Sequence, residues 1–523
     1  MKQINTTVSA QFKAVCRKTL LASALLCGFS MMANAQTQDG RDFSIDGFAA
    51  YEGVAGSNWY RAGGTTGGAG GKVVKANTFS ELQAYLQAKD PYIVIVDHDI
   101  TTGIKCYVDD LSTGRLLDDQ SGKSGVESVY GERIMIAPNK TLIGVVNPTT
   151  GEAPLFSHIT FVMQSVDNII IRNCRFTMKG VPVLKTGENK IVAWRNGAQV
   201  EVGDPDCIGI QADKVSAKTN WGGHIWVDHC EFFNGDAANK DRYDGLLDCK
   251  NNVQWMTFSY NYFHDHDKSC LWGKGDSDVY ENCRTISFHH NFFDNIQGAR
   301  LPLQRGGHLH YYNNYMRGCQ DGWDVRKGAV AYEEGCYFED SKSPIRSDRG
   351  GSLNISKAEG YDCIYKGCNN LMEGYTNIDG AKISNSYPVT KTDWVPTQTT
   401  STYTQRYLDK TVDVPAICEK YSGAGKVEIW KTYTSALPTA DIAEFDYAIK
   451  NYCTAKTYDA AGKEMSGAST TGIEMFDYAA AQTAKTEYFD LSGKRLSAPC
   501  HGISIVKTTD TLGHVSVKKV VNM

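Results

Sequence analysis

The sequence predicts an all-β chain wound as a β-solenoid, and three observations carry that prediction. The first is an internal repeat. Ile169–Phe176 (IIIRNCRF), Trp226–Phe232 (WVDHCEF), Thr257–Phe263 (TFSYNYF), Ser287–Phe293 (SFHHNFF) and His310–Met316 (HYYNNYM) share one pattern. Each is a short alternating strand, a polar corner and an aromatic strand start. The second is the period: Cys230, Asn261, Asn291 and Asn314 hold the same corner, 31, 30 and 23 residues apart. Self-similarity at roughly 20 to 50 residues marks stacked repeats rather than one closed domain. The third is what lies between: no helical periodicity, and none of the tight two-residue turns that separate hairpins would need.

The elements follow in chain order. Lys2, Lys13, Arg17 and Lys18 precede an apolar run from Leu20 to Met32, and then Ala33-Asn34-Ala35. This reads as a secretory signal over 1–35, with an apolar run too short to span a bilayer. No later segment is apolar enough to cross. Thr78–Leu86 predicts an amphipathic helix with Ser80 or Thr78 as N-cap. Pro91–Val96 and Lys140–Val146 read as early rungs, 105–132 as a polar loop between them, and 180–204 as a second excursion. After about Glu339 the repeat weakens. Residues 375–465 are expected to wrap the solenoid's flank, with a short helix over Ile442–Tyr452. Residues 466–483 read as a linker. From Ala484 the pattern changes to strands around a turn, Tyr488–Leu496 and His501–Lys507.

Removing 1–35 takes away four positive charges and no acids, so the formal charge moves from −5 to −9. Such a chain is no general nucleic-acid binder; a polyanionic substrate would need positive potential concentrated at one place. Of sixteen cysteines, two fall in the signal. Cys174, Cys230 and Cys336 take equivalent repeat positions, where a small buried side chain fits. Mostly reduced, stacked cysteines are therefore expected, with room for a few disulfides between Cys363 and Cys453.

The candidate chemistry lies in five motifs. Gln297–Gly307 (QGARLPLQRGG) puts Arg300 and Arg305 at the start of a strand, and a guanidinium offers planar, bidentate donors to a carboxylate. Upstream stand Asp204-Pro205-Asp206, Trp226-Val227-Asp228-His229, Asp244–Asp248 (DGLLD) and His264–Lys268 (HDHDK). Asp204, Asp206, Asp244 and Asp248 are hard oxygen donors from successive repeats, which suit Ca2+ better than zinc or magnesium. Taken singly, such aspartates more often cap turns, and such arginines more often form surface ion pairs.

In this order, the five motifs resemble the calcium-dependent pectate lyases of polysaccharide lyase family 1, from about Gly67 to about Phe338. The resemblance implies a right-handed, single-stranded parallel β-helix, with the helix near Thr78 capping its open end. It implies calcium on Asp206, Asp244 and Asp248, with Asp204 auxiliary. Lys268 and Arg305 would bind substrate carboxylates, and Arg300 would take the proton. Asp228 and His229 match a family motif as supporting residues, beside the plainer reading that they brace their strand. Leu303 departs from the pattern, since many members carry a further arginine there. The implied reaction is β-elimination on polygalacturonate. An ordinary guanidinium is a poor base near neutrality, so the assignment implies an alkaline optimum.

Three other readings stand beside it. A pectin lyase on methyl-esterified pectin would lack the aspartate set. A β-helical glycoside hydrolase needs paired carboxylic acids, for which Asp265 and Asp267 are available. A non-enzymatic adhesin would not require Lys268, Arg300 and Arg305 together. A monomer is expected. The last forty residues resemble the small C-terminal β-domains of secreted proteins from Bacteroidetes-type bacteria, some of which are sorting signals. That implies a secreted, cell-surface or periplasmic location.

Overall fold

The computed structural model describes residues 41–102, 104–110, 115–116, 126–130, 132–147, 149–180, 192–195, 198–201, 206–212, 221–235, 243–280, 283–427, 483–489, 495–496, 502–510 and 515–522. The expected signal over 1–35, the helix Ile442–Tyr452 and Asp204 lie outside these residues. Two compact units are distinguished, Met1–Cys453 and Thr454–Met523.

Among the described residues, the first unit is built on three parallel sheets of ten, eight and nine strands. Successive turns of chain add one strand to each. The unit around residue 250 shows the pattern: Leu247–Lys250 joins the eight-stranded sheet, Val253–Ser259 the ten-stranded sheet and Tyr262–Lys268 the nine-stranded sheet. Each then pairs in parallel with its counterpart one turn on. This is the all-β parallel β-helix the repeat predicted.

The corners explain the repeat. Cys230 N donates to Asn261 Oδ1 (3.0 Å), Asn261 N to Asn291 Oδ1 (2.9 Å), and Asn291 N to Asn314 Oδ1 (2.9 Å). The ladder ends on Cys336 Sγ, 3.4 Å from Asn314 N. A buried amide that bonds the next rung satisfies backbone groups that a corner would otherwise leave unpaired. The left-handed bend, however, falls one residue earlier than the asparagines. His229, Tyr260, His290 and Asn313 carry φ of 47°, 50°, 53° and 47°. The ladder asparagine must point its amide inward, so the turn is made by its neighbour.

Inside the coil, like residues stack. Phe176, Phe232, Phe263 and Phe293 form a column with centroids 5.0, 5.0 and 4.9 Å apart, close to the strand spacing of about 4.8 Å. Each such pair contributes about 0.5–1.5 kcal/mol beyond its burial. Cys174, Cys230 and Cys336 are fully buried free thiols at equivalent corners.

The helix Phe79–Gln87 is N-capped by Thr78, whose hydroxyl accepts from Glu81 N, while Asn77 N donates to the Glu81 carboxylate. Its Leu82 and Leu86 join the main core. The polar loop expected over 105–132 instead contains most of a small antiparallel sheet of Ile104–Asp110, Arg115–Leu116 and Val126–Tyr130. The second excursion holds a hairpin, Val192–Arg195 with Ala198–Glu201. Its two connecting residues are Asn196-Gly197, a hairpin signal, so this stretch between repeats does contain a tight two-residue turn where none was expected.

Two segments pack against the ten-stranded sheet. His289 Nε2 lies 3.1 Å from Asp46 Oδ1, and Arg172 donates to Phe43 O. From the other end of the unit, Asp409 meets both Arg41 and His290. The helix Val414–Tyr421 covers Phe292 and Tyr315 through Val414 and Cys418.

In the second unit, Thr483–Phe489, Arg495–Leu496, Gly502–Asp510 and Val515–Asn522 form a four-stranded antiparallel sheet. No helix among the described residues is long and apolar enough to cross a membrane.

Candidate metal and active site

The site is built on the outer face of the eight-stranded sheet. In Leu247–Lys250 the apolar residues Leu247 and Cys249 point into the coil, so Asp248 and Lys250 share the opposite face. One rung back, Gly209 pairs with Asp248. Asp206 enters just before that strand, and Asp244 just before the next. The result is one acidic cluster, with a carboxylate oxygen from each of Asp206, Asp244 and Asp248 within 4.8 Å of the others. Gly245 makes room for it: a Cβ there would stand 2.1 Å from Asp248 Oδ1.

Crowding like charges away from water has the expected effect. Burial, with Asp244 adding to it, pushes the Asp206 carboxyl up to about 6 against the pull of Lys250. Burial and then Asp206 drive Asp248 well above the carboxylate range. A backbone donor holds one oxygen of Asp206 and one of Asp248, while Asp248 Oδ2 is buried without a hydrogen-bond partner among the described residues. Gly245 N donates to Asp206 Oδ1 at 3.0 Å, and Leu271 N to Asp248 Oδ1 at 2.8 Å.

Three cations contact the acids, and a fourth stands apart. Lys250 Nζ sits 3.4 Å from both Asp206 and Asp248. The sequence reading missed this residue, yet the two-residue alternation from Asp248 already put it on the same face. Lys268, at the end of the strand Tyr262–Lys268, places Nζ 3.5 Å from Asp244 Oδ1. Arg300 donates to the same oxygen at 2.9 Å. Arg305 stands apart from the aspartate cluster, donating to Asp276 Oδ1 at 2.8 Å and to Gly273 O at 3.1 Å.

Arg300 has φ 75°. A left-handed conformation at a non-glycine costs on the order of 1–3 kcal/mol and persists only where surrounding structure enforces it. Here Arg300 O accepts from Cys270 N and Leu301 N donates to Gly322 O, pinning both sides.

Asp228 and His229 belong to a different surface. They lie at the end of the strand Gly222–Asp228 in the ten-stranded sheet, fully buried. Asp228 takes Arg172 at 2.7 Å, His229 Nδ1 at 2.6 Å and the Ser259 hydroxyl at 2.6 Å. These contacts draw the Asp228 carboxyl down to about 2 in spite of burial.

Comparison with known proteins gives the family. The family model described as pectate lyase matches residues 48–361. A pectate trisaccharide-lyase of Bacillus licheniformis is 32% identical over 74% of this chain and 88% of its own. Pectate lyase A of Emericella nidulans is 28% identical over 64% of this chain and 84% of its own. Among solved structures, a thermostable pectate lyase superposes with a TM-score of 0.47 at 24% identity, over 73% of this chain and 97% of that one. The family model spans more than half the chain, and the bacterial relative aligns over 88% of its own length; the chain belongs to the pectate lyase family, whose members are polysaccharide lyases.

Proposed function

We propose that the protein cleaves de-esterified polygalacturonate, an α-1,4-galacturonan, by calcium-assisted β-elimination, leaving 4,5-unsaturated oligogalacturonides. The observation that carries this reading is the convergence of Asp206, Asp244 and Asp248, at the eight-stranded sheet, with Lys268 and Arg300, which leave the nine-stranded sheet beside them. The cluster fits calcium: its donors are carboxylate oxygens only, and Gly245 leaves open the space that a side chain would take. Asp204 is assigned as an auxiliary ligand on resemblance alone. Bound there, calcium would supply Lewis-acid polarisation of a uronate carboxylate, making the C5 proton more acidic.

The chain's own residues do the rest. Lys268 and Arg305 bind carboxylate oxygens of the sugar and offset the charge that develops there as C5 loses its proton. Arg300, in the neutral form that an alkaline pH would supply, receives that proton and becomes the guanidinium. The C5–H electron pair becomes the C4–C5 double bond, and the C4–O bond breaks. The glycosidic oxygen leaves with its electrons and takes a proton from water. The same acids and cations suit the ester-free polymer, because an esterified uronate offers no carboxylate to hold. Export through 1–35, and a sorting role for the strands from Thr483 onward, remain part of the proposal.

The test is cleavage of polygalacturonate against highly methylated pectin, followed by the ultraviolet absorbance of the unsaturated product. Polygalacturonate should be cleaved far faster; the reverse order would make the protein a pectin lyase instead.

A further inference from the structure

The register of the eight-stranded sheet aligns more cations than the reaction needs. Trp272 pairs with Gln304 and Gln304 with Val325, so Gly273, Arg305 and Arg326 follow one another up the outer face; Arg326 then pairs with Arg349. Three guanidiniums thus stand on three consecutive rungs, about 4.8 Å apart along the sheet. That repeat is of the same order as the length of one pyranose unit. Gly273 admits the stem of Arg305 at the start of the series: a Cβ there would stand 2.7 Å from Arg305 Cβ.

Two carboxylates serve these three arginines. Asp276 Oδ1 meets Arg305 at 2.8 Å and Arg326 at 3.8 Å; Asp324 Oδ2 meets Arg349 at 2.8 Å and Arg326 at 3.8 Å. Both ion contacts of Arg326 are therefore beyond hydrogen-bond length, and its side chain is 29% exposed. A guanidinium held by two distant acids, with no hydrogen bond among the described residues, is arranged for an external carboxylate. The exposure of the three side chains rises along the series, from 12% to 29% to 39%. By contrast, Arg346 on the last strand is occupied, donating to Asp348 at 2.8 Å and lying 3.9 Å over the Tyr387 ring.

We propose that Arg326 and Arg349 form an outer subsite that binds uronate carboxylates of a long galacturonan beyond the sugar held at Arg305. The inference rests on the reading of the substrate as polygalacturonate. It makes the protein length-selective: affinity rises while added sugars reach new arginines. The interactions act on substrate binding rather than on the reacting bond, so they appear in KM more than in kcat.

The experiment compares KM for tri-, tetra- and hexagalacturonate in the wild type, the Arg326→Ala, Arg349→Ala double variant and Lys366→Ala. Lys366 pairs with Glu339 on the nine-stranded sheet and serves as a control for removed charge. In the wild type KM should fall as the chain lengthens. In the double variant that fall should disappear, KM for the hexamer rising about tenfold, the worth of a charged hydrogen bond, with Lys366→Ala like the wild type. A double variant with the wild-type length dependence would overturn the proposal. So would an equal rise at every length, or a matching loss in Lys366→Ala, since either marks a general field effect. A wild type inactive on all three oligomers would instead overturn the substrate reading itself. Far-ultraviolet circular dichroism and a thermal melt establish that each variant is folded.

Discussion

Arg300 and Lys268 share one oxygen, Oδ1 of Asp244, at 2.9 and 3.5 Å. Asp244, a proposed calcium ligand, thus also anchors two basic groups of the proposed chemistry. Asp248 contacts neither of them; its cation is Lys250. Asp244→Ala should lower kcat even when calcium is saturating, whereas Asp248→Ala should mainly raise the calcium needed. Steady-state rates across a calcium titration separate the two; identical behaviour of the variants would remove the anchoring role.

Arg300→Lys keeps the charge but loses the reach and the fork. If Arg300 takes the proton, turnover should fall by about 10²- to 10⁴-fold, the usual worth of a general base, with oligogalacturonate still bound. Arg305→Lys should raise KM as well as cut turnover if, as proposed, Arg305 holds a substrate carboxylate. Near-normal turnover of Arg300→Lys would transfer the role of base to Lys268.

The Asp228 network is structural on the geometry. Asp228→Asn leaves the fully buried Arg172 without its counter-charge, which should cost about 3–5 kcal/mol of stability. Chemical denaturation measures it. Specific activity of the folded fraction should be unchanged, and an inactive but equally stable variant would put Asp228 back among the functional residues.

Stability should also depend on pH through His290. Burial lowers its pKa from 6.5 to about 4, with Asp409 opposing and His289 and Arg41 reinforcing the shift. The unfolded chain therefore takes up a proton near pH 6.5 that the folded chain refuses until about pH 4. The stability present above pH 6.5 is lost as pH falls through that window. His290→Asn should flatten the decline by one proton, ~1.4 kcal/mol per pH unit. Thermal melts between pH 7 and pH 4 test this, and an unchanged slope would exclude His290 as the group.

The coil was legible in the sequence because stacking repeats it: Asn261, Asn291 and Asn314 recur since each bonds the next. What spacing could not show is which aspartates meet. Asp206 and Asp248 are distant in sequence and become neighbours only because Gly209 and Asp248 share a register; the order of the motifs, not their spacing, pointed to them. Lys250 escaped notice because a lysine in a strand ordinarily reads as a solvated edge. The small sheet around Ile104–Asp110 escaped because its polar strands alternate too weakly to stand out from a loop. Arg300's left-handed backbone had no sequence signal, since it is imposed by bonds from Cys270 and to Gly322.

The most direct test of the account is the rate of unsaturated product formation from polygalacturonate as free calcium is varied, in the wild type and in Asp248→Ala. The account predicts no cleavage in excess chelator, full recovery on adding calcium, and a midpoint moved to much higher calcium in the variant. Undiminished cleavage in chelator, or a variant with the wild-type midpoint, would contradict it.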